Sequence, residues 1–584
     1  MSQINPNNSR VAKLKKLFHI STELIHEYGF AYFLRIAFEE FFKQKGALFS
    51  PDTISLEIKN EFTLNYDDFL KNHQLDKNLS ELKIKSFSTL PLFSLVLYVD
   101  KNTTSIQKIL KSQIYANFEF ILISSTEKNI DSFVSKNDIS NFQKLVMGCP
   151  KIHDILSVSN ADYFIFLNNF SVLQTDFIFN IVEKINQNFS ADVYYCDEDF
   201  IDKKGRRTSP FFKPDWSPYL LRSFNYVGNS FVIHKQLLTK LSDFKLDDKN
   251  FHYELLLHCA ELSDNFIHVP IPSCSILQTQ KMDQSKILSK HIERLGLNAV
   301  VESDNALNTY RIHYSLQNEP KVSIIIPTKN NKSLLKRCIE SLENNTNYKN
   351  FEIIIIDNNS DDKNTLKYFD SLDYKIFSYK DPFNFSKMNN LGAVNTEGDY
   401  ILCLNDDTKS IDPNWLTEMV SICQQNDVGI VGAKLLHSNR TIQHAGAVFL
   451  KSGSGFHIFE NLLENDTGFF NLHNVIRDFS AVTGACLLIK RSIFEKIGGY
   501  DNTFDLFYGD ADLCLKTINE GSHVVYTPFA RLLHDGSTTI KKNSTTFFAI
   551  ENHFHFIKKW PHLKNGDPFY NNNLGWNYTI AKST

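Results

Sequence analysis

The stretch Tyr400-Ile401-Leu402-Cys403-Leu404-Asn405-Asp406-Asp407-Thr408 joins a short apolar run to two adjacent aspartates. The apolar run predicts a buried strand. Two carboxylates at the end of such a strand repel each other and lose hydration, so they do little for stability. A divalent cation explains them, because Mg2+ and Mn2+ prefer oxygen ligands and often share them with a phosphate. The same residues also suit a turn or a helix N-cap, and this stretch alone leaves both interpretations open.

The stretch is one part of an internal repeat. Four segments in the first half of the chain recur in the second half, in the same order and at similar spacings. The pairs are Phe93–Leu97 with Val322–Ile326, Asn117–Ile121 with Asn350–Ile354, Asp162–Asn168 with Asp399–Asn405, and Gly228–Ile233 with Gly484–Ile489. Short apolar strands alternate with amphipathic helical stretches in each copy, which predicts an α/β unit with a mainly parallel sheet.

The chain is therefore predicted to hold two related α/β domains, at roughly 91–285 and 321–560. Its 584 residues are too many for a single core. We predict an N-terminal helical segment and a polar connector in residues 1–90, a linker in 286–320 and a tail in 561–584. The N-terminal helix carries a mild excess of Lys and Arg, so it could lie on an anionic membrane surface or pack on its own protein.

The composition is that of an ordinary globular protein and excludes several classes. A net charge of -4 gives no general argument for nucleic-acid binding. No apolar run approaches the roughly 20 residues that span a bilayer, and the N-terminus lacks a signal-peptide pattern. The nine cysteines form no Cys-x-x-Cys pair, which argues against a disulfide framework and against a zinc site. These features predict a reduced, cytoplasmic protein.

Polar residues follow the predicted strands of the second copy. Ligands bind at the carboxyl ends of the strands in open α/β sheets, so these residues are the candidates for a site. They are Thr328–Asn330, Asp357–Ser360, Asn389-Asn390, Asp406-Asp407, Asp510–Asp512 and His534–Gly536.

The segment from Val322 to Lys541 resembles the family 2 glycosyltransferases of GT-A fold. It is most similar to the two-module enzymes of O-antigen and surface-polysaccharide synthesis, including rhamnosyltransferases. The matching stretches are Val322–Thr328, Phe385–Gly392, Leu404–Thr408, Val431–Leu436, Thr441–Gly446, Ser480–Cys486 and Gly509–Leu515. The linker, from Arg294–Leu297 to Tyr310–Ile312, also fits these enzymes. The resemblance covers nearly the whole chain and implies two GT-A-like (Rossmann-like) α/β domains in tandem, preceded by the N-terminal helical segment.

The resemblance also implies a metal site. Transfer from a nucleotide-diphosphate sugar requires stabilisation of the departing diphosphate, which a divalent metal ion provides as a Lewis acid. Asp407 resembles the metal-binding aspartate of the Asp-x-Asp element, although Asn405 replaces its first aspartate. His534 resembles the histidine that completes the metal shell, and such a set suits Mn2+ or Mg2+. A buried histidine with a purely structural role is the alternative for His534.

The donor residues follow from the same resemblance. Asp357 matches the residue that binds the nucleotide base, and Thr328 lies close to it in the motif. Asp406 is expected at the ribose or the metal, and Asn390 at the donor sugar-nucleotide.

Two acids are the candidates for catalysis. An inverting transfer needs one base to take the proton of the acceptor hydroxyl. Asp510 matches the family position of that base, and Asp512 matches its acidic partner. Both precede a helical run, so an N-cap is the alternative, but a cap needs only one of them.

The first copy lacks most of these acids. Its residues at the corresponding positions are Asn168-Asn169-Phe170, Ser124-Ser125, His252-Tyr253-Glu254, and Cys274 or Ser275. The acidic run Tyr195–Asp199 remains as a candidate site. We predict a degenerate, non-catalytic GT-A-like domain that could still bind sugar.

The sequence thus predicts an inverting, metal-dependent glycosyltransferase in the cytoplasm. Its partners would be a nucleotide-diphosphate sugar and a saccharide acceptor, lipid-linked at the membrane. One alternative is a nucleotidyltransferase, for which Lys329 alone offers the basic phosphate-binding residue. Another is a non-catalytic carbohydrate-binding or scaffold protein of a polysaccharide assembly.

Overall fold

A computed structural model describes residues 64–100, 110–246, 251–277, 283–304, 307–534, 536, 546–575 and 578–580. The predicted N-terminal helix lies outside the described residues. No helix within these ranges is long and apolar enough to cross a membrane. The chain divides into two compact units. We call Phe62–His313 with Asn573–Thr584 the first unit, and Tyr314–Asn572 the second unit.

The first unit is built on one mixed sheet. Its strands are β1 (Phe93–Tyr98), β2 (Phe118–Ser124), β3 (Phe142–Val146), β4 (Tyr163–Phe166), β5 (Ser171–Leu173), β6 (Val193–Ile201), β7 (Arg207–Phe211), β8 (Phe231–His234) and β9 (Phe266–Ile276). They lie in the order β3-β2-β1-β4-β8-β6-β9-β5, with β7 paired to β6. The strands β10 (Ala299–Asp304) and β11 (Thr309–Tyr314) form a separate hairpin at the end of this unit.

The second unit contains a sheet of the same kind. Its strands are β12 (Val322–Thr328), β13 (Phe351–Asp357), β14 (Lys375–Ser378), β15 (Tyr400–Leu404), β16 (Thr408–Ser410), β17 (Val428–Leu436), β18 (Ile442–His444), β21 (Arg477–Asp478), β22 (Cys486–Lys490) and β23 (His523–His534). The order is β14-β13-β12-β15-β22-β17-β23-β16, with β18 paired to β17 and β21 to β23. The short strands β19 (Ala447–Phe449) and β20 (Gly455–His457) pair with each other.

The two sheets confirm the internal repeat. The eight strands of each main path follow the same order, and corresponding neighbours run in the same relative directions. Even the register irregularity recurs, between Cys196 and Glu198 in β6 and between Ala433 and Lys434 in β17. The prediction of a mainly parallel sheet is confirmed for six of the eight strands in each main path, whereas β8 and β22 within the sheet and β5 and β16 at its margin run antiparallel to their neighbours.

Helices connect most of these strands. In the first unit they are α1 (Tyr66–Asn72), α2 (Lys77–Ser86), α3 (Glu127–Asn137), α4 (Ile152–Ser157), α5 (Phe177–Asn186), α6 (Pro218–Ser223), α7 (Lys235–Lys240), α8 (His252–Leu262) and α9 (Ser285–Arg294). In the second unit they are α10 (Lys332–Asn344), α11 (Lys363–Phe369), α12 (Phe385–Val394), α13 (Trp415–Cys423), α14 (Arg491–Lys496), α15 (Gly509–Asn519) and α16 (Thr546–Lys559), followed by a 3-10 turn at Pro561–Asn565.

Residues 64–90 contain α1 and α2 where the sequence pattern predicts a connector. Each helix has an N-cap residue, Asn65 for α1 and Asp76 for α2. The side chain of each N-cap accepts a hydrogen bond from a backbone N–H of the first turn. Phe69 of α1 is buried, and its ring lies 5.2 Å from the ring of Phe212. This segment therefore packs into the first unit.

The core of the second unit explains why its strands form. Ile324–Ile326 and Ile354–Ile356 are completely buried, as expected for central strands that are covered on both faces. Burial of each such side chain stabilises the fold by about 1.5–3 kcal/mol. The helix α12 lies very close to this sheet, because a Cβ at Gly392 would stand only 2.4 Å from Cγ2 of Ile325. A larger residue at this position would push the helix away.

Candidate active site

One edge of the second sheet collects the predicted site residues. The parallel strands β12 and β13 end side by side, where Thr328 pairs with Asp357. The strand β15, which pairs with β12 on its other side, ends at Leu404, and Asn405 separates it from the aspartate pair. Because β22 is antiparallel to β15, its first residue, Cys486, lies opposite Leu404 at the same edge. The strand β23 ends there with His534.

Asp407 and His534 converge as a predicted metal pair would. Residue Thr408 pairs with His534 across β16 and β23, and Oδ1 of Asp407 lies 3.1 Å from Nε2 of His534. Both side chains are at most 9% exposed. Two ligands at right angles on one cation, each at about 2.1 Å, stand about 3.0 Å apart, so the pair fits two positions of an octahedral shell. Within the described ranges no three His, Cys, Asp or Glu side chains form a metal-binding group.

Asp406 points to a different partner. Its Oδ2 accepts hydrogen bonds from the Thr328 hydroxyl at 2.6 Å and from Nδ2 of Asn331 at 3.3 Å. The pKa of Asp406 is raised to about 6, mainly by burial. The hydrogen bond from Thr328 lowers this pKa, and the charge of Asp407 raises it. A cation beside this pair would favour the ionised form. The hydrogen bond from Thr328, the last residue of β12, therefore holds Asp406 next to Asp407.

Asp357 closes the turn after β13. Its Oδ1 accepts a hydrogen bond from the backbone N–H of Ser360 at 3.0 Å, and the residue as a whole is 8% exposed. Asn358 donates to the carbonyl oxygens of Tyr379 and Asp381. These bonds form a turn after β13, and Asp357 lies beside Thr328 at the same edge.

Asp510 lies at the start of α15 and reaches back to the sheet. Its Oδ2 accepts a hydrogen bond from the N–H of Gly484 at 2.8 Å, and its Oδ1 from the N–H of Ala511 at 2.9 Å. The neighbouring residue Ala485 accepts the N–H of Asn405 at 3.1 Å. Asp510 and the aspartate pair are therefore connected through a single backbone turn. Asp510 is half-buried.

Asp512 has other contacts. Its carboxylate is completely buried, and Oδ1 accepts hydrogen bonds from Nε1 of Trp560 at 2.9 Å and from Nζ of Lys559 at 2.8 Å. These bonds join α15 to the end of α16. The structure therefore places Asp512 where it supports the helix that carries Asp510.

Asp512→Ala is expected to lower the free energy of unfolding by about 2 kcal/mol. The substitution leaves the buried indole N–H of Trp560 without its acceptor, whereas Lys559 keeps its bond to Oδ2 of Asp501 at 2.7 Å. Urea denaturation measures the change. Glu495→Ala is the matched control, because that carboxylate is 64% exposed and pairs only at 3.6 Å with Arg491, so it should stay within about 0.5 kcal/mol of the wild type. Equal stability of the two variants would contradict the anchoring role.

Asn390 does not join the group at the edge. Its Nδ2 donates to the carbonyl oxygen of Tyr500 at 2.9 Å and to Oδ1 of Asn502 at 3.0 Å, and its Oδ1 accepts the N–H of Tyr500 at 2.9 Å. The side chain thus holds the segment before α15 against α12.

One predicted counterpart in the first unit needs correction. Ile276 pairs with Ser171 as His534 pairs with Thr408, so Ile276 is the counterpart of His534, and the prediction of residues 274–275 is wrong. An apolar residue at this position cannot bind a metal.

The predicted counterparts of the acids of α15 agree with the strand pairing. Val269 pairs with Cys196 as Thr527 pairs with Ala433, and Ile276 pairs with Ser171 as His534 pairs with Thr408. The same offset matches His252 with Asp510 and Glu254 with Asp512. The first unit therefore has a histidine in place of the predicted base and keeps one acid, Glu254.

The acidic run Tyr195–Asp199 is buried within the first unit. Oδ1 of Asp197 lies 2.7 Å from Nε2 of His268, whose Nδ1 lies 3.0 Å from Oδ1 of Asp215. Burial opposes protonation of His268, but the two carboxylates raise its pKa to about 9. Lys213 lies 3.3 Å from Glu198. These acids are thus bonded inside the unit.

Sequence reasoning did not single out several residues that the structure places around the edge. Gln443 contacts His534, and the N–H of Gly484 binds Asp510. Asn331 and Trp560 bind Asp406 and Asp512. Gln443 and Gly484 fall within stretches that resemble the glycosyltransferases, and that is the one signal that could have pointed to them.

The class of the second unit follows from its sequence. Residues 323–498 match the sequence profile of Glycosyl transferase family 2. The second unit is thus a family 2 glycosyltransferase domain, and the tandem GT-A-type fold predicted for the chain is confirmed.

Named relatives match different shares of the chain. The O-antigen biosynthesis protein RfbC of Myxococcus xanthus is 30% identical over 523 residues, which are 84% of this chain and 41% of that protein. The chain thus spans less than half the length of this relative. The GalNAc(5)-diNAcBac-PP-undecaprenol beta-1,3-glucosyltransferase of Campylobacter jejuni is 36% identical over 95 residues, 15% of this chain and 30% of that protein. The structure of GalNAc-T7 with UDP, GalNAc and Mn2+ is 16% identical, covers 44% of this chain and 53% of its own, and has a TM-score of 0.32.

Proposed function

We propose that this chain is an inverting, metal-dependent glycosyltransferase that moves a sugar from a nucleotide-diphosphate sugar to a saccharide acceptor. The observation that carries the proposal is the convergence of Asp406, Asp407, His534 and Asp510 at one edge of the second sheet. Each side chain has a distinct contact, so the four can act in distinct roles.

The donor would be held by the ends of β12, β13 and β15. Asp357 and Thr328 lie side by side where the nucleoside would bind, and Asp406 is oriented toward Thr328 by its hydrogen bond. Asp407 and His534 would hold a divalent cation. When bound, that cation supplies Lewis-acid stabilisation of the diphosphate that leaves.

Asp510 would act as the base. Its carboxylate would accept the proton of the acceptor hydroxyl while that oxygen attacks the anomeric carbon on the face opposite the leaving nucleoside diphosphate. The new glycosidic bond would form as the bond from the anomeric carbon to the phosphate oxygen breaks, which inverts the anomeric configuration. The N–H groups of Gly484 and Ala511 fix the orientation of this carboxylate.

A lipid-linked acceptor at the cytoplasmic side of the membrane extends this proposal. The Campylobacter relative is named for an undecaprenol-diphosphate saccharide, and the Myxococcus relative for O-antigen biosynthesis. We therefore propose surface-polysaccharide synthesis for this chain. Peripheral membrane contact through the N-terminal helix stays a prediction.

The first unit would be non-catalytic. Its strand-end residues Asn169 and Phe170 stand in place of Asp406 and Asp407, and Ile276 replaces the metal histidine. The preserved sheet could still bind a saccharide.

Thermal unfolding tests the proposed function. The full chain is heated with UDP, dTDP, GDP, CMP or ATP, each with and without Mn2+. A ligand at about 100 times its dissociation constant stabilises the folded state by about 2.7 kcal/mol. We expect a Mn2+-dependent shift with one nucleoside diphosphate. A shift with ATP alone would favour nucleotidyl transfer, and no shift with any nucleotide would favour a scaffold.

A further inference from the structure

The short strand β18, Ile442–His444, contacts both His534 of the metal pair and the turn that holds Asp510. It pairs antiparallel with the end of β17, where His444 faces Leu435. Consecutive side chains of a strand point to opposite faces, so Gln443 and His444 leave β18 in opposite directions. Each of them contacts a different functional group.

Gln443 contacts the metal histidine. Its Oε1 lies 3.1 Å from Nδ1 of His534, and an amide oxygen in this position can accept the N–H of that nitrogen. On the other side of the ring, Nε2 faces Nδ2 of Asn405 at 3.2 Å and Oδ1 of Asp407 at 3.1 Å. A histidine held through Nδ1 in this way would present Nε2 to a cation. Ligating histidines are commonly oriented by such a bond on the opposite ring nitrogen.

His444 contacts the turn that holds Asp510, the proposed catalytic base. Its Nε2 accepts the backbone N–H of Thr483 at 3.3 Å, and the next N–H, that of Gly484, binds Oδ2 of Asp510 at 2.8 Å. The ring of His457 packs edge-on at 4.6 Å, and Nδ1 of His457 lies 3.1 Å from the carbonyl oxygen of Gln443. These contacts fix the positions of Gln443 and His444.

Packing alone does not account for a histidine at position 444. The side chain is completely buried, and its Nδ1 has no hydrogen-bond partner among the residues that the structure describes. A buried nitrogen without a partner costs free energy that an apolar ring of similar shape would avoid. Burial, with the neighbouring His457 and His534, also holds the pKa of His444 well below its ordinary value, so the ring stays neutral and Nε2 can accept.

We infer that β18 is the positioning strand of the site: Gln443 orients His534 toward the metal, and His444 orients the Thr483–Gly484 turn that holds Asp510. This inference rests on the proposed function. Both are positioning residues, since neither would touch the reacting atoms. Metal affinity would then depend on Gln443, and the orientation of Asp510 would depend on the adjacent His444.

The test compares two readouts in the full chain. One is the Mn2+ affinity by electron paramagnetic resonance in the presence of UDP, dTDP or GDP in turn, and the other is kcat at saturating Mn2+. Gln443→Ala should weaken Mn2+ affinity by about 10-fold to 100-fold, with kcat recovered at high Mn2+. His444→Phe should leave Mn2+ affinity within about twofold and reduce kcat by about 100-fold, a loss of the size that general-base catalysis contributes.

Two further variants serve as controls. His444→Gln keeps an acceptor for Thr483 and should recover most of kcat, which also guards against a misfolded phenylalanine variant. Thr441→Val lies next to the strand, and its hydroxyl bonds Asn439, so neither readout should change.

The outcomes separate this inference from the proposed function. A wild-type chain without Mn2+-dependent binding of any of the three diphosphates would overturn the proposed function, and the inference with it. Normal wild-type binding with unaltered Mn2+ affinity in Gln443→Ala would overturn the inference alone. Parallel loss of both readouts in both variants, together with a lower Tm, would show a purely structural strand and would also overturn it.

Discussion

Asp510→Asn is expected to reduce kcat for sugar transfer by about 1,000-fold, with little change in donor affinity. The amide keeps the shape of the side chain but cannot take the proton of the acceptor hydroxyl, and general-base catalysis typically contributes about 100-fold to 10,000-fold. The amide oxygen can still accept the N–H of Gly484, so the turn should hold its position. Steady-state kinetics and calorimetric titration of the nucleoside diphosphate measure the two quantities.

Asp373→Asn is the matched control for this substitution. Asp373 is exposed and lies before β14, away from the strand ends that form the site, so its amide should leave kcat unchanged. Wild-type turnover in Asp510→Asn would remove Asp510 from the role of base. A loss of donor affinity as large as the loss of kcat would assign it to binding instead.

Asp407→Ala is expected to weaken Mn2+-dependent binding of a nucleoside diphosphate by at least about 100-fold, or about 2.7 kcal/mol. The substitution removes the one carboxylate that lies within 3.1 Å of Nε2 of His534, so the metal would keep a single protein ligand of the pair. Calorimetry with and without Mn2+ measures the effect. Binding without Mn2+ should change little, because the nucleoside contacts at Thr328 and Asp357 remain.

The folded state of Asp407→Ala has to be shown separately. The aspartate pair is desolvated, so removing one charge should leave stability unchanged or raise it. A Tm at or above the wild-type value would confirm an intact fold. Unaltered Mn2+-dependent binding in such a folded variant would place the metal elsewhere.

Much of the fold could be predicted from local patterns. The apolar run Tyr400–Leu404 is a strand as predicted, because five buried residues before a polar turn leave few alternatives. The repeat was visible because corresponding strands carry similar residues. Strand direction was less accessible, since an apolar run is the same in either direction, and the antiparallel course of β22 could therefore not be predicted.

The site could be predicted in outline only. The rule that ligands bind at strand ends brings Thr328, Asp357 and Asp406 together, and the structure has them at one edge. Contacts between distant segments could not be derived in this way. Gln443 and His534 are 91 positions apart, and Trp560 meets Asp512 across 48 positions. Which polar side chain binds which partner depends on packing that no local pattern encodes.

The same limit explains the shifted counterpart of His534 in the first unit. Alignment by residue type favoured Cys274 or Ser275, whereas pairing across β5 and β9 selects Ile276. A shift of one residue changes the face of a strand, so small errors in alignment alter every assigned role.

Anomalous diffraction at the manganese edge tests the central claim most directly. Crystals of the full chain would be grown with Mn2+ and the nucleoside diphosphate that gives the largest thermal shift. The proposed site predicts one strong manganese peak bonded to Oδ1 of Asp407 and Nε2 of His534, with the diphosphate oxygens completing its shell. A diphosphate bound at another place, or a manganese peak that contacts neither side chain, would contradict the site and the mechanism built on it.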